Sequence, residues 1–90
     1  MSLAIIKIKI MPESPDSKLE NIEKKAKEII EKDKGANLRI EREPIAFGLI
    51  AVNITFTREE TLDSDNLVER LRKIKEVNSA EITDFRRAIG

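Results

Sequence analysis

Ala4, Ile6, Ile8 and Ile10 alternate with Ile5, Lys7, Lys9 and Met11, a period of two that suits a strand with one buried face, because successive strand side chains point to opposite sides. Further along the chain the period changes. Leu19, Ile22, Ala26, Ile29 and Ile30 recur three and four residues apart, with Glu20, Glu23, Lys24, Lys27, Glu28 and Glu31 on the other side, the pattern of an amphipathic helix. Pro12 and Pro15 interrupt regular structure between the two. Ser17-Lys18-Leu19-Glu20 has capping-box spacing, so the helix is expected to begin near Lys18 with Ser17 accepting from its first turn, and Gly35 is placed to end it.

The same switch then repeats. Asn37 to Glu43 alternates Leu38 and Ile40 against Arg39 and Glu41, with the charge density of a protected edge strand. Leu49 to Thr57 carries Ile50, Val52, Ile54 and Phe56 on one face and Leu49, Ala51, Asn53 and Thr55 on the other, as a central strand would. Arg58 to Asp63 reads as polar connection. Asp63 or Ser64 is placed to cap a second helix carrying Leu67, Val68, Leu71 and Ile74 on one side, with Asn78-Ser79 as its break. Ala80 to Arg87 is a last strand, with Ala80 and Ile82 facing one way and Glu81, Thr83, Phe85 and Arg87 the other.

Strand, helix, strand, strand, helix, strand is the order of the ferredoxin-like split β-α-β fold, an α+β class. Its four-stranded antiparallel sheet has the first and third strands in the centre and both helices on one face. Charge placement points the same way, since the strands that this topology puts in the centre are the apolar ones. The expectation is one domain over 1–90, with the fourth strand's end meeting the third strand's beginning.

Composition closes several functional routes. The 90 residues contain no Cys and no His, which removes disulfides, thiolate nucleophiles, imidazole bases and the usual zinc ligands. No metal and no cofactor are expected. Seventeen Lys plus Arg balance seventeen Asp plus Glu, so no global basic field draws a nucleic-acid backbone. The 38% charged content, rich in Lys and Glu, matches the bias of proteins from hot environments. No stretch approaches the length of a membrane span, and the N-terminus lacks the pattern of a secretory signal, so the cytoplasm is the expected location.

Fold alone does not supply function. The loop after the first strand, Met11-Pro12-Glu13-Ser14-Pro15-Asp16, has neither the cysteine pair of a metal carrier nor the arginine of a phosphate-binding hydrolase loop. The open sheet face, with Ile5, Lys7, Lys9, Leu49, Ala51 and Asn53, offers no ring on which RNA bases stack. Glu13 and Asp16 are accounted for by turn formation. What remains is Pro44-Ile45-Ala46-Phe47-Gly48, which spends one of only three aromatics on a turn. An apolar side chain between Pro44 and Gly48 is either a lid on the core over Ile45 and Leu49 or an anchor offered to a partner.

Here the sequence becomes recognisable. Met11-Pro12-Glu13-Ser14-Pro15-Asp16, Glu43-Pro44-Ile45-Ala46-Phe47-Gly48-Leu49 and Val77-Asn78-Ser79-Ala80-Glu81-Ile82-Thr83-Asp84-Phe85-Arg86-Arg87 resemble the archaeal elongation factor 1-beta family over essentially the whole chain. They resemble, more distantly, the catalytic domain of the eukaryotic beta subunit. The resemblance implies a guanine nucleotide exchange factor, a protein without covalent chemistry, that releases GDP from elongation factor 1-alpha so that GTP reloads it during translation elongation. It implies a partner in its GDP- or GTP-bound form, with no direct nucleic acid and no membrane. By the resemblance, Phe47, with Pro44, Ile45 and Gly48 shaping its turn, falls where an aromatic of the relatives enters a pocket of the GTPase. Arg87, or Arg86 with a shift of one, falls where a lysine of the relatives reaches the magnesium site; the arginine is a departure, being planar, bulkier and always charged. The chain also runs on through Ala88, Ile89 and Gly90, past the relatives' ending. Phe47 and Arg87 are expected to meet at one end of the sheet as two halves of a wedge. The rival reading is an RNA-binding or small-ligand module on the same fold, without exchange activity.

Overall fold

The alternation at the start of the chain is realised as β1 (Leu3–Pro12), with Ala4, Ile6, Ile8 and Ile10 buried. The computed structural model describes residues 2–87; Met1 and the tail Ala88-Ile89-Gly90 lie outside the described residues. After β1 come α1 (Leu19–Lys32), β2 (Ala36–Pro44), a tight turn (Ala46–Gly48), β3 (Ile50–Glu59), α2 (Ser64–Arg72) and β4 (Val77–Arg87). The sheet order is β2-β3-β1-β4, antiparallel throughout its pairs. This is the expected ferredoxin-like arrangement, with β1 and β3 central.

The core lies between the helix-facing side of the sheet and the apolar stripes of α1 and α2. Ile6, Ile8, Ile10, Val52, Ile54 and Phe56 meet Ile22, Ile30, Leu67 and Leu71, all with at most 1% of their surface exposed. Full burial of each such side chain contributes about 1.5–3 kcal/mol.

Several boundaries differ from the sequence expectation, each for a local reason. Ser17 does not cap α1: its Oγ accepts from the Ser14 backbone N–H at 3.2 Å, the N-cap is Lys18, and no side chain caps the helix. The first loop thus takes the hydroxyl that the capping box would have used. At the other end Lys34, not Gly35, adopts the left-handed conformation, with φ of 70°. Gly35 N–H reaches the Ile30 carbonyl at 2.8 Å and Lys34 N–H the Glu31 carbonyl at 3.2 Å, the paired bonds of a Schellman stop. Gly35 serves a different need, because a Cβ there would lie 2.2 Å from Ile30 Cγ2.

Arg58 is not in a connection. It continues the inward alternation of β3 and is 3% exposed, its charge met by Asp33: Nε donates to the Asp33 carbonyl at 2.9 Å and Nη2 to Oδ2 at 2.6 Å. Arg70 reaches the same Oδ2 at 2.5 Å. This cluster ties the end of β3 to the end of α1 and to α2, which Asp63 caps by accepting from the N–H groups of Asp65 and Asn66.

α2 stops at Arg72, before Asn78-Ser79, and Glu76 turns the chain with φ of 72°. Asn78 and Ser79 are already in β4. Within β4 the phase also changes, because Ile82 pairs with Ile8 while Asp84 pairs with Lys7, leaving Thr83 as an extra residue. This bulge places Phe85 opposite Ile6 and Arg87 opposite Ala4 on the helix-facing side. Asp84 and Arg86 share the open face with Lys7 and Ile5, the reverse of the simple alternation.

Candidate functional site

The β2–β3 connection is a tight hairpin. Ile45 N–H donates to the Leu49 carbonyl at 2.7 Å and Leu49 N–H to the Ala46 carbonyl at 3.3 Å. Between them Phe47 (φ 63°, ψ 29°) and Gly48 (φ 77°) are both left-handed, the backbone signature of a type I′ turn. That turn favours Asn-Gly, since a non-glycine residue held left-handed costs roughly 1–2 kcal/mol. Here the first position carries a phenylalanine, and its side chain is 94% exposed. It is therefore not a lid over Ile45 and Leu49. Pro44 and Ala46 are exposed beside it and Ile45 is half-buried. Gly48 packs toward Pro15 of the first loop, whose Cβ lies 3.7 Å from where a Cβ of residue 48 would stand. Pro15, Pro44, Ile45, Ala46 and Phe47 thus form an apolar tip at one end of the sheet.

The base of this tip is held by polar contacts on the open face. Asn53, 9% exposed, donates from Nδ2 to Glu43 Oε1 at 2.9 Å, and Lys9 Nζ lies 3.7 Å from the same oxygen. The hydrogen bond from Asn53, and then the Lys9 charge, hold the Glu43 carboxyl below its ordinary value of 4.5. Glu43 immediately precedes Pro44, so these contacts fix the strand from which the turn departs. Elsewhere the open face alternates in sign, with Lys7, Lys9, Arg39 and Arg86 among Glu41, Glu81 and Asp84. Among the described residues no group of three acidic side chains gathers as a metal site.

Arg87 and Arg86 stand elsewhere. Arg87 pairs in the sheet with Ala4, which pairs with Arg58 at the end of β3. Both β3 and β4 run antiparallel to β1, so they are parallel to each other and the end of β4 lies beside the end of β3. The expectation that Phe47 and Arg87 meet fails on this point of strand direction. The eight residue steps from Ile50 to Arg58 separate the two ends by roughly 25 Å. Arg87 Nε donates to Glu60 Oε2 at 2.7 Å, and Arg86 Nε lies 2.9 Å from Asp84 Oδ2.

Phe47 is thus a strained aromatic, 94% exposed, that the split β-α-β domain holds clear of its own core. Residues 5–88 match the family model described as the EF-1 guanine nucleotide exchange domain. Elongation factor 1-beta of Methanobrevibacter smithii is 41% identical over 88 residues, covering 97% of this chain and 98% of that protein. Elongation factor 1-beta of Methanosphaera stadtmanae is 41% identical over 81 residues (89% and 90% covered), and that of Thermococcus gammatolerans 39% over 77 residues (83% and 84%). Among solved structures, the ACT domain from GTP pyrophosphokinase of Chlorobium tepidum superposes with a TM-score of 0.61 at 22% identity, covering 87% of this chain and 95% of that one. The de novo designed protein Foldit4 superposes at 0.63 with 16% identity, covering 98% of each. These two show the fold alone. The chain belongs to the EF-1 guanine nucleotide exchange domain family and is a guanine nucleotide exchange factor of translation elongation. The family implies elongation factor 1-alpha as its partner.

Proposed function

We propose that the Phe47 turn is the contact through which the chain releases GDP from elongation factor 1-alpha. Phe47 is the anchor that enters an apolar pocket of the GTPase, and Pro44, Ile45 and Gly48 shape and flank it. The observation that carries this reading is an aromatic held left-handed and 94% exposed, a conformation that costs stability and gains nothing within the chain. The partner is met in its GDP-bound form and left free to bind GTP. A GTPase holds its nucleotide through phosphate-loop contacts and magnesium. A protein that binds the nucleotide-free state more tightly than the loaded one must weaken nucleotide affinity by the same factor. No covalent step is required of the exchange factor, and neither nucleic acid nor a membrane enters the scheme. The cytoplasm, where elongation takes place, is the setting.

Arg87 and Arg86 enter only as a second contact. A partner that touches both the Phe47 turn and Arg87 must span the length of the sheet, and Arg87 must exchange its bond to Glu60 for one on the partner. The experiment is release of a fluorescent GDP analogue from elongation factor 1-alpha. Truncation of a buried anchor costs about 2 kcal/mol or more, so Phe47→Ala is expected to slow stimulated release about 30-fold with unchanged circular dichroism. Stimulation equal to the parent protein's would exclude Phe47 as the anchor.

A further inference from the structure

We infer that the groove between α1 and α2 is a second docking surface, and that its occupant is an acidic amphipathic peptide segment of another protein. This site is separate from the Phe47 tip and lies in the helix layer. The groove encloses about 840 Å³. Lys18, Lys24 and Lys25 line it from the α1 side, and Arg70, Lys73 and Lys75 from α2 and the turn after it. Asp16, Glu28 and Glu76 are the acidic residues that line it, so the lining is basic in a chain whose formal net charge is zero. Two of the cations are already engaged, Lys25 with Glu28 at 3.9 Å and Arg70 with Asp33 at 2.5 Å. Among the described residues Lys18, Lys24, Lys73 and Lys75 have no carboxylate within salt-bridge distance.

Helix electrostatics does not explain this set. Arg70 and Lys73 sit at the C-terminal end of α2, where the helix dipole favours a cation, but Lys18 is the N-cap of α1, where the dipole opposes one. With no side chain capping α1, the positive end of that helix adds to the field of the lysines. Such a concentration of like charge is costly in isolation and is relieved by an anionic ligand.

The floor of the groove decides which anion. Ile29, half-buried, and Ile74, 9% exposed, lie beneath the cations, and no aromatic lines the groove. RNA phosphates would neutralise the lysines, but bases would find nothing to stack on. An amphipathic helix with acidic flanks satisfies both layers, setting aliphatic side chains on the isoleucines and carboxylates against the lysines. From Lys18 to Ile29 the α1 wall is about 17 Å long, room for about three turns of a bound helix.

The test uses fluorescein-labelled peptides of about fifteen residues and fluorescence anisotropy on the full chain. One peptide carries leucines at helical spacing among glutamates, the second scrambles the same composition, and a uridine RNA of about twelve nucleotides is the third probe. The amphipathic peptide is expected to bind at least tenfold more tightly than the scrambled one, and to weaken when salt is raised from about 50 to about 300 mM. Lys24→Glu with Lys73→Glu is expected to weaken it at least tenfold, and the milder Lys24→Gln with Lys73→Gln severalfold, each with unchanged circular dichroism. Phe47→Ala is expected to leave peptide binding unchanged, which keeps this outcome independent of the exchange assay. Equal binding of the scrambled peptide, tighter binding of the RNA, or undiminished binding by both lysine variants would overturn the assignment.

Discussion

At the scale of a residue, Phe47 is where local preference and global role part company. A type I′ turn asks for a small polar residue at its first left-handed position, and the chain places there a phenylalanine that contributes almost nothing to burial. Asparagine tolerates the same backbone, because its short side chain bonds locally and avoids most of the steric cost. Phe47→Asn is therefore expected to stabilise the fold by about 0.5–1 kcal/mol while removing exchange stimulation, the trade expected where function holds a strained residue in place. Since 1 kcal/mol corresponds to a Tm shift of about 4–8 °C for a domain of this size, differential scanning calorimetry resolves the change. A lower Tm for the variant would show that the phenylalanine packs usefully after all. The sequence made the oddity of an aromatic between Pro44 and Gly48 legible. Its left-handed φ was not legible, because a Phe-Gly pair does not signal this turn as Asn-Gly would.

At the scale of an element, the β2–β3 hairpin shows how a strained tip is carried on a rigid base. Asn53 and Lys9 converge on Glu43 one residue before Pro44, and the hydrogen bond from Asn53 is the largest influence keeping that carboxyl ionised to lower pH. The sign follows from linkage. The folded value lies below the unfolded one, so the stabilisation is present above the unfolded value and is lost as pH falls through the folded value. Asn53→Ala is expected to move the Glu43 carboxyl titration upward, toward 4.5, as followed by carbon-detected NMR. A midpoint that stays where it was would assign the depression to Lys9 instead. Elements themselves were legible where the period was clean, as in β1 and α1. They are not legible where a side chain or a bulge intervenes. Ser17 bonds within its own loop rather than to α1, Arg58 is buried against Asp33, and Thr83 inserts one residue into β4 and reverses every facing beyond it. None of these has a signal in hydrophobic periodicity, because they depend on a competing hydrogen bond within a loop, on a partner distant in sequence and on a single unpaired residue, respectively.

At the scale of the whole molecule, the strand order is legible from charge, and that order with its antiparallel pairs fixes the strand directions, which keep Phe47 and Arg87 apart. Two strands that flank β1 and both run against it are parallel, so the beginning of β3 and the end of β4 cannot meet. This has an energetic consequence for exchange. Groups more than about 7–10 Å apart with no shared partner contribute nearly additively, and the roughly 25 Å between these ends is spanned by the sheet, with no described contact bridging from Phe47 to Arg87. If Arg87 contributes at all, it does so through a separate contact on the GTPase. In a double-mutant cycle on GDP release, the effects of Phe47→Ala and Arg87→Ala, expressed as free energies from the rate ratios, are then expected to sum to that of the double variant within about 0.5 kcal/mol. A single wedge would behave differently, since removing either half would disable the other and the double variant would be little worse than the more damaged single one. Coupling above about 1 kcal/mol would therefore mean that the GTPase bends around the sheet and reunites the two ends at one nucleotide site.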